Sequence, residues 1–202
     1  MSLAVSSVLN TNIKSSSNGA GLIECLTYNL QKLGMVFFHR FYSRHDFNDH
    51  NRFEVAVACI LLAAKTEECP RKLSHVIQEC NRLKNPTAAV VDPKSDEYLQ
   101  LKERVLLLER VVLHTISFEL SIIHPDRFVI ERVKNLYKNG QIEYNPDSEQ
   151  DFSNLSQNLM QRAINFVNDS MCTNLCVTLV GKTQYMNNLY IIAPLCCLQY
   201  LH

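Results

Sequence analysis

Residues 53–68, FEVAVACILLAAKTEE, constrain this chain more than any other stretch. Between Phe53 and Ala64 the one charge is Glu54, and there is no Gly or Pro. Val55, Val57, Ile60, Leu61 and Leu62 are spread among alanines so that almost no polar stripe remains. A surface helix has one apolar face, whereas a segment apolar nearly all round has to be wrapped by others. Ala56, Ala58, Ala63 and Ala64 allow neighbouring helices to approach closely. The stretch therefore predicts a central helix in an all-α fold. Its character then flips to Lys65-Thr66-Glu67-Glu68-Cys69-Pro70, and Pro70 is expected to stop the helix or mark its end.

Composition agrees with a helical chain. Gly and Pro number five and six in 202 residues, too few for a turn-rich sheet protein, and 47% of the residues are apolar, enough for a real core. Lys+Arg and Asp+Glu are balanced at 20 each. That balance gives no electrostatic reason to expect nucleic acid or an anionic membrane as the main partner. Eight cysteines are present, but residues 1–9 lack the basic start and sustained apolar run of a secretory signal, so reduced thiols in a cytosolic or nuclear protein are expected. Cys172 and Cys176 have no second pair in zinc-ligand spacing, and no metal is expected. There is no Gly-rich phosphate loop, G-x-S-x-G elbow or H-E-x-x-H pattern. No cofactor and no catalytic role follow; a Cys/His hydrolase is the one enzymatic alternative, tested by acylation of a thiol.

Taken in order, residues 1–18 are rich in Ser and Asn and are expected to form a disordered leader. Leu22, Ile23, Leu26, Leu30 and Leu33 recur at helical spacing, Gly34 interrupts, and residues 35–42 resume as a second apolar helix. His39 reads as a hydrogen-bonded core histidine rather than a catalyst, and Arg40 as an internal ion-pair or carbonyl-binding residue. Residues 43–51 are a polar loop. After the central helix, Leu73, Val76, Ile77 and Cys80 form the stripe of a short helix that Asn85-Pro86 breaks. Ser95-Asp96-Glu97 is a capping start for a long helix to about Ile116. Tyr98, Leu101, Val105, Leu108 and Val112 mark its inner face, widened by Leu106 and Leu113. Glu109 lies among these apolar residues, and a carboxylate buried there without a partner costs several kcal/mol. Two partners are open: Lys65 at the end of the central helix, or polar backbone on another protein. A further helix starts near Pro125-Asp126 and runs to about Tyr137; residues 139–148 are a linker; another helix covers about 151–171, with Leu155, Leu159, Ala163 and Val167 on one face.

The run LAAKTEE-x-P followed by RKLSHVI resembles the cyclin box. His39-Arg40-Phe41-Tyr42 precedes it, Leu107-Leu108-Glu109-Arg110 follows, and Phe118-Glu119-Leu120 through His124-Pro125 closes it. Asn168-Asp169-Ser170 with Cys172-Thr173 resembles the end of the second helix in a second box. The likeness covers about residues 19–178 and is strongest to the transcriptional K/T/L group of cyclins. It implies a five-helix first box around a central buried helix at 19–121 and a partial second box with a divergent tail at 122–202, incomplete by two or three helices on the family's pattern. Residues 19–42 would be the first two helices, with a shortened segment between them. The resemblance also implies a nuclear, non-catalytic regulatory subunit. It would form a heterodimer with a transcription-class cyclin-dependent kinase and activate it toward the RNA polymerase II C-terminal repeats. No direct contact with nucleic acid or membrane is expected. Kinase contacts would fall on Lys65, Glu109, Glu68, Leu62 and Leu108. The M-R-A-I-L patch with which cell-cycle cyclins recruit substrates is absent, so that groove is not expected. Two alternatives lack kinase activation: a cyclin-fold adaptor, and a shortened chain that competes for the kinase.

Overall fold

The computed structural model describes residues 20–84, 87, 92–122, 126–138 and 149–178. Among them are helices α1 (Ala20–Tyr42), α2 (Arg52–Thr66), α3 (Leu73–Lys84), α4 (Asp96–Thr115), α5 (Asp126–Lys138), α6 (Glu149–Met171) and the single turn α7 (Leu175–Thr178), and no strand. The chain divides into two compact units, Met1–Ile122 and Ile123–His202. The leader at 1–18, the Asn85-Pro86 break, His124-Pro125, the linker at 139–148 and the tail beyond Thr178 lie outside the described residues, as do the side chains of Leu22, Ile23, Leu26 and Leu155.

In the first unit every residue from Val55 to Ala64 is buried, because α2 is surrounded by α1, α3 and α4. Each aliphatic side chain fully buried along it contributes about 1.5–3 kcal/mol relative to exposure. Asn51 starts α2, its side chain accepting from Phe53 N–H at 3.0 Å. The expected stop at Pro70 comes too late. The helix ends at Thr66, where Glu68 N–H bonds back to Lys65 C=O at 3.4 Å and Cys69 N–H to Ala64 C=O at 2.9 Å. This is a Schellman closure, which places Glu68 at φ 52 in the left-handed region usually taken by glycine. The end of α4 repeats the device without a glycine: Ser117 N–H meets His114 C=O, Phe118 N–H meets Leu113 C=O at 3.0 Å, and Ser117 sits at φ 56.

The helix pair expected before α2 is one continuous helix, so the first unit has four helices among the described residues rather than five. Gly34 does not break α1. It is buried against α2, where a Cβ at this position would lie 3.9 Å from Ala63 Cβ, Cys59 O and Ile60 Cα. Glycine removes helix propensity but not the hydrogen-bond ladder, and packing of Leu30, Leu33, Phe37 and Phe41 against the core offsets that loss. The long helix α4 begins as expected, with Ser95 Oγ accepting from Tyr98 N–H at 3.2 Å. Tyr98, Val105, Leu108 and Val112 are buried and Leu101 and Leu113 pack partly. Leu106, expected to widen the inner face, is exposed, because its position is rotated well away from the Val105–Val112 line.

Burial also fixes the thiols. Cys59 and Cys80 are free and buried; desolvation pushes the Cys59 thiol up, and pushes that of Cys80 up to about 12 with Glu79 adding to the effect. Both are inert packing residues. In the second unit α5 buries Val129 and Val133 against α6, which buries Leu159, Ala163, Val167 and Met171. Ile130 on the same helix is half-buried. The α6 end is closed by Ser170 Oγ donating to Val167 C=O at 2.7 Å and Thr173 Oγ1 to Ser170 C=O at 2.6 Å.

Because the methyl of Gly34→Ala meets only ordinary van der Waals contacts, the variant is expected to be more stable by about 0.5–1 kcal/mol. Urea denaturation of the two proteins measures this, and a less stable variant would contradict the packing at this crossing.

Candidate functional site

The site follows from where α2 and α4 cross. Lys65 stands in the last turn of α2, where a cation is favoured by the helix dipole. Glu109 lies on α4 beside the buried Leu108 and Val112. Lys65 Nζ donates to Glu109 Oε1 at 2.6 Å. The two ends differ sharply in exposure: the Lys65 side chain is 60% accessible and that of Glu109 is 9%. The ammonium keeps two further N–H donors toward solvent, and among the described residues Glu109 Oε2 has no hydrogen-bond partner. The crossing thus presents one polar patch with spare donors and a spare acceptor, which suits a partner's main chain better than a reaction.

A second ion pair joins the same two helices. Arg104 embraces Glu54 as a fork, with Nη2 at 3.1 Å from Oε1 and Nε at 3.2 Å from Oε2. The hydrogen bond to Glu54 leads the effects that push the guanidinium's pKa further up. Elsewhere Arg40 Nη1 donates to Glu119 C=O at 3.1 Å and pairs with its carboxylate at 3.4 Å, which is the internal role expected for it. Arg44 donates to Thr115 C=O, and His45 Nε2 lies 3.0 Å from Thr115 Oγ1. These bonds tie the loop after α1 to the end of α4. His39 is half-buried with its ring edge-on to Phe38. Tyr42 Oη donates to His50 C=O at 3.1 Å, and burial pushes the phenol up to about 12, with Cys59 adding to the rise.

Of the residues singled out from sequence, Lys65 and Glu109 are brought together. Glu68 is exposed three positions beyond Lys65, in the left-handed turn. Leu62 and Leu108 are core residues, so they bear on this patch by holding the two helices at their crossing. Sequence reasoning did not find the Glu54–Arg104 fork, the anchor at Thr115 or the buried Lys32. Glu54 carried a usable signal as the lone charge of an otherwise apolar run; Thr115 carried none. A recess of about 140 Å³ beside the fork, lined in part by Glu54, Asn81, Glu97 and Arg104, is small for a nucleotide-sized ligand. No group of side chains that could hold a metal ion occurs among the described residues, and no described helix is long and apolar enough to cross a membrane.

Residues 25–121 match the sequence profile of "Cyclin, N-terminal domain". Cyclin-K of Homo sapiens is 32% identical over 174 residues, covering 85% of this chain and 26% of that protein. Cyclin-K of Danio rerio is 32% identical over 174 residues, covering 85% of this chain and 36% of that protein. Cyclin-T1 of Mus musculus is 39% identical over 97 residues, covering 48% of this chain and 13% of that protein. The chain spans about a quarter to a third of the length of the Cyclin-K relatives.

The two ion pairs should differ in weight. Lys65→Met leaves a buried carboxylate unpaired and is expected to destabilise by about 1–3 kcal/mol. Arg104→Ala removes a half-exposed partner and is expected to cost under about 1 kcal/mol. Chemical denaturation of both variants checks the order, and the reverse order would contradict the assignment of Glu109 as the buried member.

Proposed function

Because the chain belongs to the cyclin family, in the group of cyclins K and T, we propose that it is a non-catalytic regulatory subunit. It binds and activates a cyclin-dependent kinase of the transcription class in the nucleus, supporting phosphorylation of the RNA polymerase II C-terminal repeats. The observation that carries this reading is the Lys65–Glu109 pair, half in water and half in the core. In the resemblance to cyclins, these two positions bond to kinase main chain just ahead of the kinase's regulatory helix. The spare donors of Lys65 and the spare acceptor of Glu109 fit that use, with Glu68 at the margin of the contact.

The mechanism is one of positioning. Docking against the ends of α2 and α4 would hold the kinase's regulatory helix inward and complete the Lys–Glu ion pair of its nucleotide site. This chain supplies contacts and no reacting group. Its partner is the kinase in a heterodimer, with nucleic acid playing no direct part. A second reading, that the chain engages a kinase without activating it and so competes with other cyclins, is favoured by the continuous α1 in place of the helix pair that the resemblance implies.

Purified chain is expected to capture transcription-class cyclin-dependent kinases and raise their activity, while Lys65→Ala/Glu109→Ala captures at least about tenfold less at unchanged helix content by circular dichroism. Capture without a rise in activity would select the competitor reading. Equal capture by the double variant would remove the pair from the interface. Absence of capture by a folded chain would overturn the kinase reading in favour of a cyclin-fold adaptor.

A further inference from the structure

The outer face of α4 is unusual for a solvent-facing helix. Leu99, Leu106 and Leu107 are 45%, 37% and 56% exposed, although α4 buries a full apolar stripe on its opposite side. Glu103, Arg110 and His114 are also exposed. At about 100° per residue, Leu99, Glu103, Leu106, Leu107, Arg110 and His114 fall within one arc about 100° wide. The arc's centre lies about 110° around the helix from Glu109, so this face is distinct from the Lys65–Glu109 patch. Among the described residues Glu103 and Arg110 have no ion-pair or hydrogen-bond partner, whereas the neighbouring Arg104 is taken by Glu54. Two charges without a partner on the described protein thus flank two exposed leucines.

The order of these residues carries the inference. A two-fold axis placed between Leu106 and Leu107, perpendicular to the helix, maps each position onto the one equally far on the other side. Leu106 then meets Leu107 of a second copy. Glu103 and Arg110 stand symmetrically, each about 5 Å along the helix from the axis, so Glu103 meets Arg110 of the second copy and Arg110 meets its Glu103. Leu99 meets His114, whose ring is edge-on to the exposed Phe118 at 5.1 Å between centroids. The face is therefore complementary to itself when antiparallel, as an isologous contact requires. A parallel pairing sets Glu103 against Glu103 and gains nothing.

We propose that the outer face of α4 is a self-association surface on which two copies of this chain pair antiparallel through Leu106 and Leu107, clamped at each side by a Glu103–Arg110 ion pair. One helix face buries far less than a standard stable interface, so the dimer is weak and concentration-dependent. The pairing is argued from residues other than Lys65 and Glu109 and does not rest on the kinase reading.

Sedimentation equilibrium of the full chain, with circular dichroism as the control for folding, tests this through charge reversal. Wild type is expected to pass from monomer to dimer as concentration rises. Glu103→Arg and Arg110→Glu, each alone, place like charges together at both ends and weaken dimerisation about tenfold or more. An equimolar mixture of these two single variants restores dimers, since each bad pair becomes a good one across the heterodimer. The double reversal Glu103→Arg/Arg110→Glu restores them as well. Leu106→Glu abolishes pairing. A chain that stays monomeric throughout the range, or a dimer indifferent to the reversals and to mixing, would overturn the proposal. So would association with a different protein through this face in place of self-pairing.

Discussion

A carboxylate among leucines and valines is stable in a folded chain only if something answers its charge, and in the first unit that condition falls on Glu109. Its side chain is 9% exposed, and the Lys65 ammonium 2.6 Å away supplies the answer. Desolvating a charge works against folding unless a partner and good geometry compensate. The pair therefore fixes where the end of α2 lies along α4. An apolar crossing alone, with Leu62, Leu108 and Val112 facing one another's helices, tolerates small slides far better than a crossing in which a charge has one acceptable neighbour. The Glu54–Arg104 fork then ties the first turn of α2 to the middle of α4. The two ion pairs, about three helical turns apart on α2 and about one and a half apart on α4, act as register marks for a core that is otherwise interchangeable in chemistry.

The same pair is both the lock between the two helices and the patch proposed for partner contact. The ion that satisfies the buried carboxylate is itself mostly in water, because Lys65 stands on the last turn of α2 just before the chain reverses. The reversal costs strain: Glu68 and Ser117 occupy left-handed backbone without glycine's freedom, about 1–2 kcal/mol each by the usual steric argument. Glycine at either position would relieve that strain, yet side chains stand there. Both reversals close the ends of the two helices that carry the polar patch. The α4 helix also has a second outward-facing surface about a third of a turn away, bearing exposed leucines, so one helix contributes to the core, to the polar patch proposed for kinase contact and to the face proposed for self-association.

Much of this was legible in the chain. The all-α class and the central helix followed from the unbroken apolar run 53–64, since no amphipathic alternative fits it. Glu109 was identified as a buried charge in need of a partner from its apolar neighbours, and Lys65 was one of two partners left open. The errors have physical causes. Gly34 reads as a break because glycine lowers helix propensity, but a buried glycine at a close helix crossing is held by tertiary contacts. Pro70 reads as the stop because the actual stop uses glutamate in a conformation that glycine normally supplies. Leu106 reads as widening the inner face of α4, but its angular position on the helix turns it outward. The tie from His45 to Thr115 joins residues seventy apart and leaves no local signature.

The central claim is that Lys65 and Glu109 act as a unit that locks α2 to α4. A double-mutant cycle of unfolding free energies over Lys65→Met, Glu109→Leu and the combined variant tests it most directly. The account predicts that the combined change costs less than the sum of the single ones by more than about 1 kcal/mol, because removing both charges removes the need for either. Single costs that add to within about 0.5 kcal/mol would contradict it, and would mean that the two side chains sit side by side without depending on each other.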